Sequence, residues 1–455
     1  LITAYYLLQP KRKRGKKMRQ VSFFVFGFII MLLVLVPIAG ADDLNAGDIS
    51  WVACASALVM LMTPAVGFFY AGLVRRKNLV ATLFQSIAIF AVVSIVWTLW
   101  GYSLVFGPSI KGIIGDLSLF GLRDVGMSPD NDYAPTIPSL LLYFFQLKFA
   151  AITPALIIGA IAERIRFKAL LIFIILWATL IYSPIAHWVW NINGWLRHLG
   201  AIDFAGGTVV HISAGISALA AALVIGRRKD VGTSELVPNN VPLVVLGAAL
   251  LWFGWFGFNG GSSLSANTLA VSALVVTNVA AASAGISWMA VDWIVKGKPT
   301  TVGLAIGAVC GLVAITPASG YVNVMSAIII GLIAGVASNF VANWRASRTT
   351  LDDSLDVFAC HGISGIWGSL ATGMFATITI NSGGVNGLFY GNAKLLLMQL
   401  IAVVVVIAFS FVGSFLLLKL INLFTEIRVS PEEEEEGLDR SLHGERAYVG
   451  DELSS

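Results

Sequence analysis

The sequence predicts an all-α polytopic membrane protein: eleven transmembrane helices, arranged as an inverted five-helix repeat plus a final helix, N-terminus outside and C-terminus in the cytoplasm. Three observations predict it. Apolar residues make up 57% of the chain and charged residues only 12%, about half the charged share of an ordinary soluble domain. Runs of about twenty apolar residues, the length a helix needs to cross a hydrocarbon core, recur along the chain. An Asp–His motif returns after five such runs.

Composition also excludes partners. The net charge is only +4, and the basic residues sit in short clusters between apolar runs. Nucleic acid calls for a continuous basic face, so it is not a partner. Cys54, Cys310 and Cys360 lie in apolar segments without CxxC spacing. They read as small core residues, and neither a disulfide framework, a metal site nor a cofactor is called for.

The elements follow in order. Lys11 to Lys17 is strongly basic, Val21 to Val36 is apolar, and Ala39-Gly40-Ala41 offers small residues for cleavage before Asp42. That is the layout of a secretory signal, so residues 1–41 are expected to be a signal peptide, with an uncleaved first anchor as the alternative. Met18 stands just before the apolar run, and translation is expected to start there.

The domain of 42–424 then holds eleven apolar runs, at 49–73, 78–106, 139–163, 168–190, 207–226, 241–260, 269–296, 301–317, 323–343, 356–377 and 394–424. Gly303 to Gly307 and Gly331 to Gly335 place small residues where helix backbones can approach in lipid. Arg75-Arg76-Lys77, Arg164/Arg166/Lys168, Arg227-Arg228-Lys229, Lys296/Lys298 and Arg345/Arg348 follow runs one, three, five, seven and nine. The positive-inside rule puts those loops in the cytoplasm. The tail, 425–455, carries Glu432 to Glu436 and reads as a cytoplasmic regulatory segment, either solvated and mobile or a docking site for partners.

Asp203 precedes His211 by the same eight residues that separate Asp353 from His361. Five runs is an odd offset, so the halves have opposite topology, and inverted repeats set the substrate path at their interface near the midplane. An ionisable group inside a span marks a pathway by default. Two facing imidazoles can share a proton, each donor or acceptor in turn. Separate interhelical hydrogen bonds are the plainer alternative, and a metal site lacks a third ligand. Asp203 can cap the following helix or stabilise a cation at the outer mouth. Phe145, Phe149, Trp190, Trp255 and Phe258 cluster on the outer side beside Asn259 and Ser262. Ring faces attract a small cation; an interfacial aromatic belt would look similar.

Asp203-Phe-Ala-Gly-Gly-Thr-Val-Val-His211, Gly254-Trp-Phe-Gly-Phe-Asn259, Ala162-Glu-Arg-Ile-Arg166 and Asp356-Val-Phe-Ala-Cys-His361-Gly resemble signatures of the ammonium transporter (Amt/MEP/Rh) family. The likeness runs from about Asp48 into the tail, through Arg428-Val-Ser-Pro-Glu and Gly444-Glu-Arg-Ala-Tyr448. The resemblance implies a transporter rather than an enzyme, in the cell membrane, and a homotrimer with one pore per subunit. It implies an outer ammonium-recruiting site at Trp190, Phe149 and Ser262, supported by Asp203, and a gate of Phe149 and Phe258. It further implies twin pore histidines at His211 and His361. Phe145 and Thr316 are further lumen candidates. It also implies PII-type nitrogen-regulatory partners at the cytoplasmic face, with an ammonium sensor signalling through the tail as the rival reading. One departure stands out: Lys148 adjoins Phe149, turned about 100° from it on a helix.

Overall fold

The computed structural model describes residues 44–229, 231 and 237–448. The expected signal segment and the Met18 start lie outside them. Each predicted run is helical: α1 (Ala46–Leu73), α2 (Arg76–Phe106), α3 (Ser139–Ile161), α4 (167–190), α5 (Gly207–Ile225), α6 (Val241–Gly260), α7 (Thr268–Lys296), α8 (Thr301–Ile315), α9 (Val324–Arg348), α10 (358–375) and α11 (Ala393–Phe424). Side chains of Asn45, Asn240, Asn267, Thr300, Asn323 and Asn392 accept hydrogen bonds from first-turn amides and so start six of them.

Among the described residues, nine helices are long and apolar enough to cross a bilayer. The two others differ from the expectation for local reasons. Helix α8 has 15 residues, a rise of roughly 22 Å, and it ends just before Pro317, which cannot extend a helix. Helix α10 spends its length on His361, Ser364 and glycines rather than on large apolar side chains.

The molecule is built around α5 and α3, whose spans are 83% and 78% buried, against 39% for α11. Helix α5 packs on α3 and α11, α1 on α6, and α7 on both α8 and α9. The last packing explains the small-residue runs. A Cβ on Gly311 or on Gly331 would lie 2.3 Å from the Ala280 carbonyl oxygen, and one on Gly335 2.4 Å from that of Ala284. Helix α7 is therefore clasped between two glycine faces, which gives close packing where no hydrophobic effect favours it.

Five stretches depart from regular α-helix by one extra residue per turn: Trp97–Gly101, Ala178–Tyr182, Gly207–Ile212, Phe256–Gly260 and Phe358–Ile363. Such π-turns are rare and gather at functional sites. Two of them contain the histidines.

The tail departs from the mobile alternative. After α11 it returns beneath the helix ends as α12 (Pro431–Glu436) and α13 (Leu438–His443). Ser430 and Glu433 form a reciprocal cap that starts α12. The Asp439 carboxylate accepts the amides of Val80 and Ala81, and Glu434 accepts the Lys229 amide and pairs with Arg428. The Val429 amide reaches the Arg164 carbonyl at 3.0 Å. These bonds define a tail face; the far face lies at the opposite helix ends.

Candidate functional site

On the far face, Asp203 turns the chain into α5. Its carboxylate accepts the amides of Gly206, Gly207 and Thr208, each at 2.7 Å, and the Thr208 hydroxyl. This is an N-terminal cap in which a charged acceptor satisfies several orphan amides at once. Gly206 makes the turn possible because its φ is +115°. Asp203 also borders a vestibule of about 320 Å³, lined among others by Phe149, Trp190, Ser262, Gln146, Tyr133 and Tyr321.

The vestibule holds the right groups for a small cation. The Trp190 indole N–H donates to the Asp203 carbonyl at 3.1 Å, which fixes the ring. The Ser262 hydroxyl donates to the Phe258 carbonyl at 2.8 Å, so its lone pairs stay free to accept. Gln146 Oε1 is buried without a partner. Sequence reasoning passed over Gln146, because an amide two positions from a lysine carries no signal of its own.

The floor of the vestibule is a ring pair. Phe149 and Phe258 lie 4.2 Å apart, centre to centre, and both are fully buried. Trp190 meets Phe149 edge-on at 5.9 Å, and Phe145 supports it at 4.9 Å. Phe145 lines neither the vestibule nor the cavity below. It lies where a Cβ on Gly261 would come within 2.8 Å of its ring.

Beneath the rings is a cavity of about 10 Å³, room for roughly one water-sized molecule. His211 and His361 line it, with apolar neighbours including Met62, Val66, Ile152, Leu156 and Val309. The two Nδ1 atoms are 3.3 Å apart and the rings are near-parallel, 23° between planes. His211 also stacks on Trp255 at 5.3 Å, and its Nε2 has no protein partner. The Trp255 N–H donates to the Thr316 hydroxyl at 2.8 Å, and that hydroxyl donates to the Leu312 carbonyl. Thr316 thus holds the Trp255 indole and is absent from the cavity wall. His187, buried in α4, has both nitrogens occupied, by the Val105 carbonyl and the Ser109 hydroxyl.

The two histidine segments pack reciprocally. Each histidine has a glycine four residues later. A Cβ on Gly215 would lie 2.2 Å from the Gly362 nitrogen, and one on Gly365 would lie 3.1 Å from His211 Cβ. Helices α5 and α10 therefore cross in near backbone contact at the histidines.

On the tail face Asp353 accepts the Val357 and Phe358 amides, capping α10 as Asp203 caps α5. Burial and then the Asp356 charge push its carboxyl up to about 6. Next to it, the Arg228 amide and guanidinium make three hydrogen bonds to Asp352, and the guanidinium reaches Glu163, which also takes Arg75. Arg164, fully buried, ties Ala160, Ala162, Gly226 and Asp352 carbonyls together. The Ala-Glu-Arg-Ile-Arg motif is thus a structural knot under the pore. Lys148 faces away from the vestibule, its ammonium 3.5 Å from the centre of the Phe144 ring.

Residues 50–448 match the profile of the Ammonium Transporter Family. The chain belongs to that family. It is 48% identical to an ammonium transporter of Bacillus subtilis over 405 residues, 89% of this chain and 99% of that one. It is 47% identical to ammonium transporter Amt1 of Archaeoglobus fulgidus, over 89% and 100% respectively. Among solved structures, Saccharomyces cerevisiae Mep2 superposes with a TM-score of 0.81 at 37% identity, covering 86% of this chain and 89% of that one. A structure described as a sensor Amt protein has the same TM-score at 32% identity, covering 87% and 98%. The chain is accordingly a multi-pass membrane protein of an ammonium transporter family, and that family consists of transporters rather than enzymes.

Proposed function

We propose that this transporter recruits ammonium in the vestibule, removes a proton there, and conducts ammonia past the Phe149–Phe258 pair to the histidine cavity. The observation that carries the reading is the sequence of compartments: a polar aromatic vestibule, a closed ring pair, then an apolar cavity of one-molecule size with two hydrogen-bonding imidazoles. A bare ammonium ion in such a cavity would lose its hydration without a counter-charge, a cost of many kcal/mol. Neutral ammonia would not. Ring faces favour the cation by about 2 kcal/mol when desolvated, and Ser262 and Gln146 supply acceptors. Potassium can use the same rings but has no proton to release, so selectivity arises at deprotonation. The imidazole pair accepts hydrogen bonds from the passing molecule and carries the proton separately.

Eleven spans, with the vestibule outside and the tail in the cytoplasm, suit this scheme, because α8 and α10 complete the wall and the basic loops share the tail face. The opposite capping of α5 and α10 supports an inverted repeat. Family resemblance underlies a homotrimer in the cell membrane and a PII-type partner at the tail face. Transport is favoured over sensing because the relatives above 40% identity are named transporters. Uptake of radiolabelled methylammonium into proteoliposomes tests the vestibule. Trp190→Ala should raise the half-saturating concentration at least tenfold, about 1.4 kcal/mol; an unchanged concentration dependence contradicts cation recruitment there.

A further inference from the structure

Near the pore, one chemically competent pair is not used by transport. Cys310 on α8 donates from its Sγ to that of Cys360 on the π-turn of α10, at 3.3 Å. Both thiols are free; Cys310 is fully buried and Cys360 is 6% exposed. Their chain neighbours Val309 and His361 both line the histidine cavity. A disulfide needs about 2.05 Å between sulfurs, so closure by roughly one more ångström would suffice.

We propose that Cys310 and Cys360 form a reversible dithiol–disulfide site, oxidised by hydrogen peroxide, that stops conduction by breaking the His211–His361 contact. Hydrogen peroxide is a small neutral molecule that can form hydrogen bonds, the kind of solute a narrow cavity with two imidazoles admits. In the first step one thiol sulfur attacks a peroxide oxygen and gives its proton to the departing oxygen. The O–O bond breaks, an S–O bond forms, and the leaving hydroxide departs as water with the thiol's proton. In the second step the other sulfur attacks the sulfenic sulfur; the S–O bond breaks, the S–S bond forms, and a second water leaves. Two thiols together lose two electrons, and hydrogen peroxide is reduced to two waters.

Buried thiols are ordinarily inert. Here the second sulfur already touches the first, so a sulfenic acid is captured before further oxidation. The geometric consequence follows from chain continuity. Cys360 moves toward α8, and His361 is the next residue on the same π-turn. The histidine contact is 3.3 Å, at the long limit of a hydrogen bond, so a displacement of about an ångström breaks it.

Full-length protein in proteoliposomes, in a Cys54→Ser background, is treated with hydrogen peroxide. It is then denatured in N-ethylmaleimide, digested and weighed by mass spectrometry, with ammonium current recorded in parallel. The expected result is a linked Cys310–Cys360 peptide that disappears on phosphine reduction, and a current that falls at least fivefold and recovers on reduction. Cys310→Ser and Cys360→Ser should each keep their current under peroxide. Maleimide on both thiols after peroxide, or sulfonic acid without a linked peptide, overturns the site; this readout needs no transport and no variant at the pair. A linked peptide with unchanged current overturns the loss of conduction, which rests on the transport reading above.

Discussion

The two Asp–His half-sites are built from the same pieces and have become different. Asp203 caps α5 at the rim of a 320 Å³ vestibule, with four tight contacts and 9% exposure. Asp353 caps α10 with two amides, fully buried beside the Arg164–Arg228–Asp352 knot. His211 rests on Trp255 with a free Nε2, whereas His361 sits beside the thiol pair. One half opens on the vestibule; the other lies beside the ion-paired knot that meets the tail. The paired motif brings the two histidines together, and the flanking contacts make the two ends differ.

Substitutions at matched positions sharpen that contrast, and the largest effect belongs to the glycines. Gly215→Ala drives a Cβ into the Gly362 backbone and should cost about 3 kcal/mol or more, at the upper end of overpacking. Gly365→Ala meets His211 Cβ and Ile212 Cγ1 at 3.1 Å, tight but without the overlap at Gly215, and should cost about 1 kcal/mol. Thermal unfolding in detergent reads the difference; equal shifts would mean that the crossing is looser than drawn.

The caps come next. Asp203→Ala removes the sole acceptor of several buried amides and should destabilise by about 2 kcal/mol, against about 1 kcal/mol for Asp353→Ala. Uptake by Asp203→Asn, which keeps an acceptor and loses the charge, separates capping from cation stabilisation: retained affinity assigns Asp203 to capping alone. Thr316→Val frees the Trp255 N–H behind His211 and should cost about 1 kcal/mol in the same unfolding assay.

The smallest effect is at the tail. His443 packs edge-on against Phe84 at 4.8 Å and near Phe167. Burial lowers its pKa below 6.5, outweighing the nearby Glu445 and Asp439. The docked tail therefore binds a proton less readily than the free tail. Docking is complete above pH 6.5 and weakens as the pH falls toward the docked-state value. Amide exchange in α13 at pH 7.5 and 5.5 should show faster opening at the lower pH in wild type, and no such step in His443→Phe.

Much of this was legible in the sequence. Apolar length gave the helices, and equal Asp–His spacing pointed to the facing histidines. The π-turns were not legible, because an extra residue per turn leaves no compositional trace in an apolar helix. The tail's docking was hidden too: a run of glutamates looks solvated until Lys229, Arg428 and the α2 amides are found opposite it. Cys310 and Cys360, fifty residues apart, read as separate core residues, since nothing in their spacing says that α8 and α10 touch. Thr316 reads as a lumen candidate in the sequence; in the structure its hydroxyl accepts the Trp255 N–H.

In the proposed mechanism the paired histidines confine passage to a molecule that has shed its proton. Currents from reconstituted wild type, His211→Ala and His361→Ala under matched ammonium and potassium gradients test it most directly. Wild type should carry ammonium at least tenfold over potassium, with that ratio collapsing toward one in either alanine variant. An ammonium-to-potassium ratio unchanged in both variants would contradict it.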